Sequence, residues 1–319
     1  MESDFRLDYR LCRPAVSQVN RRISSRQMSI QTLIHRRQAL WSAGGLAALV
    51  CGCSSPERTH SEQAQLEQAD QNSHGPHIDN DQVKESTKTS STLDEAAIRQ
   101  KNIATLKRLG FTVAEGLPIW SQWTGNPIAL RPSLEICRRL MCSEVATAYI
   151  WSPSVPENEL RTYIERSQLM DSMAEAEKEI LATPRKEVAK KWGSGDGWRQ
   201  ENQWALAWVL GFKIEPGLTD GLIDEKVMAP LVQDFMPSLA QSDKEFARQT
   251  KTRPLESVFR KFDLFYCAHN AVRSAQLGRQ TVPDAFDPVV DGGVIHEKRH
   301  SLTWCLSPSV DWDDTDLST

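Results

Sequence analysis

The chain has 319 residues, 39% of them apolar, a mean hydropathy of −0.47 and a net charge of −4. That length admits one large domain or two small ones, and the polar bias keeps part of the chain out of any core. Charge is unevenly placed: residues 1–52 hold eight Arg and three acids, a net +5, which leaves −9 for the remainder. An acidic body excludes general binding to the phosphate backbone, so no nucleic-acid partner is expected.

Residues 1–27 lack a clear apolar period and precede a second methionine, Met28. They read as an extension ahead of the true translational start. From Met28 the pattern changes. Arg36-Arg37 lead into about fourteen mostly apolar residues, Ala39 to Gly52. A spanning helix needs roughly 20. A basic start, a short apolar run and small closing residues describe a secretory signal, predicted over 28–52. Its end, "LVCGC", resembles a bacterial lipobox, with Val50 three before and Gly52 one before Cys53. Cys51 fits worse, because bulky Val50 precedes it. Cys53 is therefore the expected lipidation site and the expected route to the membrane. Arg36-Arg37-Gln38 also resembles a twin-arginine export signal, which leaves the export route open. The competing reading is a buried helix that happens to contain cysteine, but the tail that follows offers nothing to pack against.

Residues 53–93 carry a few scattered aliphatics and no aromatic. Such a segment cannot bury enough surface to offset its chain entropy. It is predicted to be a flexible tether of about forty residues, with a root-mean-square span of roughly 35 Å. Its histidines, His60, His74 and His77, are too sparse for a metal site. Ser54 directly after Cys53 is compatible with sorting to the outer membrane of a two-membrane bacterium.

An all-α domain is predicted over 94–319. Thr92 with Glu95 forms a capping box, Ala96, Ile98, Ile103 and Leu106 follow a helical stripe, and Gly110 ends it. Leu134, Ile136, Leu140, Met141, Val145 and Tyr149 mark a second helix. A further capping box, Ser154 with Glu157, opens a charged stretch to Trp192 that reads as one or two long helices. Trp204 to Phe212 are apolar on most faces and predict a central helix. Two more are expected in "PLESVFRKFDLFYCAHNAVRSAQLG" and "GGVIHEKRHSLTWCLS". Cys137, Cys142, Cys267 and Cys305 all lie in apolar helical stretches and are expected as buried thiols. Four cysteines in an exported protein also permit three disulfide pairings.

One motif points to chemistry. "HEKRH" matches H-E-x-x-H, which on a helix sets His296 and His300 on one face to hold zinc while Glu297 polarises a water. A third ligand would come from Asp311, Asp313, Asp314 or Asp316. Against this, Lys298-Arg299 sit inside the motif, where two cations beside a metal dication are unhelpful. The segment also reads as an amphipathic helix, with Val294, Ile295, Leu302 and Trp304 packed and the charges facing water.

The order of motifs resembles the bacterial family named domain of unknown function 4272. It runs through Leu117-Pro118, then Arg131, Glu135, Ile136 and Arg138, then Trp198, Arg199, Glu201, Leu206, Trp208 and Gly211. It closes with Val294, Glu297, Arg299, Leu302, Trp304, Trp312, Asp313 and Asp314-Thr315. The resemblance spans about 97–316. It departs at Cys267 and Asn270, where the family pattern has Arg and Trp. It implies a fold but no activity, and it stresses Glu297 and Arg299 over His296 and His300.

The polar set Arg199, Glu201, Glu297, Arg299, Asp313 and Asp314 is thus the candidate site. Its simplest role is structural, an Arg pairing with Glu201, Glu297 or a terminal Asp and locking the closing segment onto the bundle. The functional alternative is a pocket where Arg holds an anion or paired carboxylates act as acid and base. With no Gly-rich phosphate loop and no Ser or Cys nucleophile motif, no cofactor is expected. The leading expectation is a cell-envelope lipoprotein whose helical domain binds a protein partner or small ligand without catalysis. The alternative is a hydrolase, such as a zinc enzyme using His296, Glu297 and His300.

Overall fold

A computed structural model describes residues 93–319. The segments 1–27 and 28–52, Cys53 and the tether up to residue 92 lie outside the described residues. Among those described, the chain forms a single all-helical domain of eleven α-helices without a strand. They are α1 (Glu95–Arg108), α2 (Trp120–Thr124), α3 (Ser133–Trp151), α4 (Glu157–Arg166), α5 (Glu175–Ala182), α6 (Arg185–Trp192), α7 (Asp196–Val209), α8 (Glu225–Pro230), α9 (Asp243–Gln249), α10 (Leu255–Gln276) and α11 (Val290–Leu306).

Local chemistry explains most of the helix ends. The first helix is capped by Asp94, whose carboxylate accepts the Ala97 amide at 2.9 Å. The expected cap, Thr92, is two residues too early. Gly110 does end this helix. At φ +84° it turns left-handed, and Phe111 N–H reaches back to the Leu106 carbonyl while Gly110 N–H reaches Lys107, the bonding of a Schellman cap. Four helices, α3, α4, α6 and α10, start directly after a proline. Proline's fixed φ suits that entry, and its missing N–H costs nothing there. Pro156 therefore displaces the expected Ser154 cap. The charged stretch is three short helices rather than one or two long ones: Pro184 separates α5 from α6, and Gln168, at φ +49°, stands in the turn after α4.

Five long helices make the interior. In space they form a row, α1 against α10, α10 against α11, α11 against α7, and α7 against α3, with α5, α6 and α9 outside α3. The helices α3 and α7 bury nearly every face: Trp204 to Leu210 are all buried, as is almost all of Ile136 to Ile150. Close approach of α11 to α7 depends on Gly293, where any Cβ would fall about 2.4 Å from the Trp198 ring. Cys137, Cys142, Cys267 and Cys305 are free and buried. Burial pushes Cys137, Cys142 and Cys267 up to about 12. Such thiols stay protonated and act as small apolar side chains. Among the described residues, no helix is long and apolar enough to cross a membrane.

Candidate functional site

The contact of α7 with α11 brings Glu201 and Glu297 of the expected polar set together, with Arg199 nearby, but with partners the sequence did not suggest. Glu201 and Lys298 are both fully buried and pair at 3.4 Å. Glu201 also accepts the Ile223 amide at 2.6 Å, and the Lys298 ammonium lies 4.2 Å from the Trp204 ring centre. Burial pulls the Lys298 ammonium below its usual range, with Glu201 opposing. One residue along α7, the Asn202 side chain donates to Glu297 at 2.6 Å while its Oδ1 accepts Ser301 Oγ at 2.8 Å. Glu297 is raised to about 7, first by burial and then by nearby Glu201, against the pull of Asn202 and Arg199. Arg199 reaches outside the set, to Glu177 at 3.4 Å. Glu177 also pairs with the buried Arg139 and caps α5 by accepting the Ala174 amide at 3.1 Å.

Arg299 points elsewhere. It is fully buried, and its guanidinium donates to the backbone carbonyls of Leu317 and Ser318, each at 2.8 Å. It also meets His269 Nδ1 at 2.5 Å. Because a guanidinium only donates, His269 accepts at Nδ1 and carries its proton on Nε2, which faces His296 Nδ1 at 3.3 Å. The stacked rings of Tyr266 and Trp123 lie to one side of the guanidinium carbon, with ring centres at 4.8 and 5.7 Å. The neighbouring His300 donates from Nε2 to the Trp312 carbonyl at 3.0 Å and packs on that ring at 4.2 Å. Burial pulls His296 and His300 down to about 4 and holds His269 well below the usual histidine range, Arg299 adding to each effect.

The closing segment contacts the bundle by means other than an Arg–Asp pair. Arg131 donates to the carbonyls of Trp304 and Ser307 at 2.8 and 2.6 Å, and also to that of Val310. Its guanidinium lies 4.0 Å from the Trp304 ring centre, and that of Arg139 lies 4.5 Å from Trp312. Asp313 accepts the first amide of α5, Glu175 N–H, at 2.9 Å. Asp314 is exposed and lines a cleft of about 430 Å³ between α2 and the closing segment. The cleft is walled by Trp120, Trp123, Pro127, Leu306 and Val310, with Asp316 as its second acid.

Three corrections follow. The charges of α11 do not face water, since Lys298 and Arg299 are completely buried. The H-E-x-x-H residues are drawn to separate partners, His296 to His269, Glu297 to Asn202 and His300 to Trp312. Among the described residues, no three His, Cys, Asp or Glu side chains are grouped to hold a metal. Sequence reasoning also missed Glu177, Asn202, His269 and Lys298. Only Lys298 carried a signal, since its place between Ile295 and Leu302 sets it on the packed side of the helix.

The fold and site define an all-helical domain whose charged interior is spent on holding helices and closing segment together, with one aromatic cleft at the surface of its described part. The chain belongs to the family described as a domain of unknown function, DUF4272, whose pattern matches residues 98–315. No curated protein and no solved structure matches it. Motifs that carried the resemblance have visible work: the Leu117 and Pro118 carbonyls accept Arg99 at 2.6 and 3.1 Å, and Arg131 and Trp304 stack as described.

Proposed function

We propose that this chain is an exported lipoprotein of the cell envelope, anchored through Cys53, whose helical domain is a binding module without catalysis. The aromatic cleft carries the binding reading. Trp120 and Trp123 offer flat apolar faces, while Asp314 and Asp316 supply negative charge, so the ligand class that fits combines an apolar or aromatic body with a basic group. The titratable groups of α7 and α11, by contrast, are occupied by one another and by backbone, which favours a structural role for them. The anchor rests on the lipobox-like Val50, Gly52 and Cys53, and a long polar tether suits a domain held clear of a bilayer.

Two measurements test the two halves. Cys53→Ala is expected to move the protein from the membrane to the soluble fraction, and retention at the membrane overturns the anchor. For the cleft, aromatic amines screened by thermal shift are expected to stabilise the domain. That stabilisation is expected to vanish in Asn126→Trp, which fills the cleft, and to weaken in Asp314→Asn. Stabilisation unaffected by Asn126→Trp, or none with any amine, overturns the cleft as the site.

A further inference from the structure

Five cations are buried in the helical interior, and four have an acid. Arg99 pairs with Asp263, Arg131 with Glu135, Arg139 with Glu177 and Lys298 with Glu201. Arg299 is the exception. Fully buried, it has no carboxylate within 4 Å among the described residues, and its Nε, like that of Arg139, has no hydrogen-bond partner there. Asp316 acts on it only at longer range. A guanidinium out of water without a counter-charge is costly, so its surroundings call for explanation. Its two outer nitrogens are filled by consecutive carbonyls, Leu317 on Nη1 and Ser318 on Nη2, both at 2.8 Å. Two oxygens presented side by side to the two arms of the fork reproduce the way a carboxylate binds arginine, with neutral acceptors in place of charged ones.

We propose that Arg299 is a carboxylate-binding site which the closing segment occupies with its own backbone, residues 317–318 standing in for the ligand. The bed suits a planar anion. Tyr266 and Trp123, stacked on each other, lie to one side of the guanidinium, and His269, fixed as an acceptor at Nδ1, adds no negative charge. The covering residues are light: Leu317 is partly exposed and Ser318 exposed. Apart from its carbonyl on Arg299, Ser318 is tied to its neighbour Asp316, through N–H at 2.8 Å and Oγ at 3.1 Å. Release of 317–318 therefore breaks few contacts besides those to Arg299. The stronger holds on the segment, Arg131 on Val310 and Arg139 on Trp312, lie upstream and stay in place. This site is independent of the lipid anchor and of what the cleft binds, although Trp123 contributes to both.

Benzoate is the probe, titrated at constant ionic strength against chloride, with inorganic phosphate as the tetrahedral comparison. In the full chain, benzoate is expected to speed hydrogen exchange over 316–319 while exchange in α10 and α11 is unchanged or slowed. A variant ending at Asp316 is expected to bind benzoate about tenfold more tightly than the full chain, the equivalent of one net hydrogen bond no longer competed for. Phosphate is expected to gain less. Arg299→Lys, which keeps charge and loses the fork, is expected to lose the benzoate effect in both backgrounds. Equal affinity with and without 317–319, or binding that survives Arg299→Lys, overturns the proposal. Should the shortened chain not fold, unchanged exchange over 316–319 in the full chain at saturating benzoate overturns it equally.

Discussion

Arg139 and Arg299 are both completely buried and both hold the closing segment, yet they are neutralised differently. Arg139 lies over Trp312 and pairs with Glu177, which also takes Arg199 and caps α5. Arg299 lies beside the stacked rings of Tyr266 and Trp123 and has only carbonyls and an imidazole. The first arrangement is closed, since each charge is answered within the helices. The second leaves a cation answered by the most replaceable part of the chain. Burial alone therefore does not separate structural from functional charge here; the identity of the partner does.

The largest expected effect comes from the closed side. Glu177→Ala leaves Arg139 buried without an acid and removes the α5 cap, and is expected to cost about 3–5 kcal/mol. Urea unfolding near neutral pH measures it. Arg299→Met orphans no carboxylate and loses only bonds to carbonyls and His269, so about 1–3 kcal/mol is expected. The contrast between the two regions collapses if Arg299→Met proves as damaging as Glu177→Ala.

The helices were legible where apolar content was dense. Trp204 to Phe212, Ile136 to Tyr149 and the two closing helices stand where periodicity set them. Boundaries were less legible, because Asp94 and the helix-starting prolines outcompeted the capping boxes at Thr92 and Ser154. The sequence did not announce the partners of the six polar residues. Glu177 looked like one more acid on a charged helix, and nothing local to Arg299 announces that His269, 30 residues away, will touch it. Long-range partner choice is set by helix packing, which periodicity does not encode. Lys298 and Arg299 were misread because charge outweighed their position on the helix.

The two sides also differ in how they answer pH. His296 and His300 fall to about 4 in the fold. Between that value and the ordinary range near 6.5, the unfolded chain binds more protons, so stability rises with pH and is lost on acidification. Glu297, raised to about 7, works in reverse. Between the usual carboxyl range and 7 the folded chain binds the extra proton, so its contribution is present in acid and lost as pH rises through 7. The imidazoles outnumber it, and a net rise in melting temperature from pH 4 to 6.5 is expected. Glu297→Gln, which keeps an acceptor for Asn202, is expected to raise the melting temperature at pH 8 and leave it unchanged near pH 4.5. A lower value at pH 8 would mean that the ionised carboxylate is needed there.

The smallest effects belong to adjacent acids of the closing segment, and they test whether it is held by charge or by backbone. Asp313 caps α5 through Glu175 N–H, so Asp313→Ala is expected to cost about 0.5–1.5 kcal/mol, as loss of a helix N-terminal acceptor does. Asp314 is exposed at the cleft, and Asp314→Asn is expected to stay within about 0.5 kcal/mol. An Arg–Asp lock would reverse that order, because removing the acid would orphan a buried guanidinium. A marked loss in Asp314→Asn with little in Asp313→Ala would therefore show that side-chain charge, rather than the carbonyls of 304–318, fastens the segment to Arg131 and Arg299.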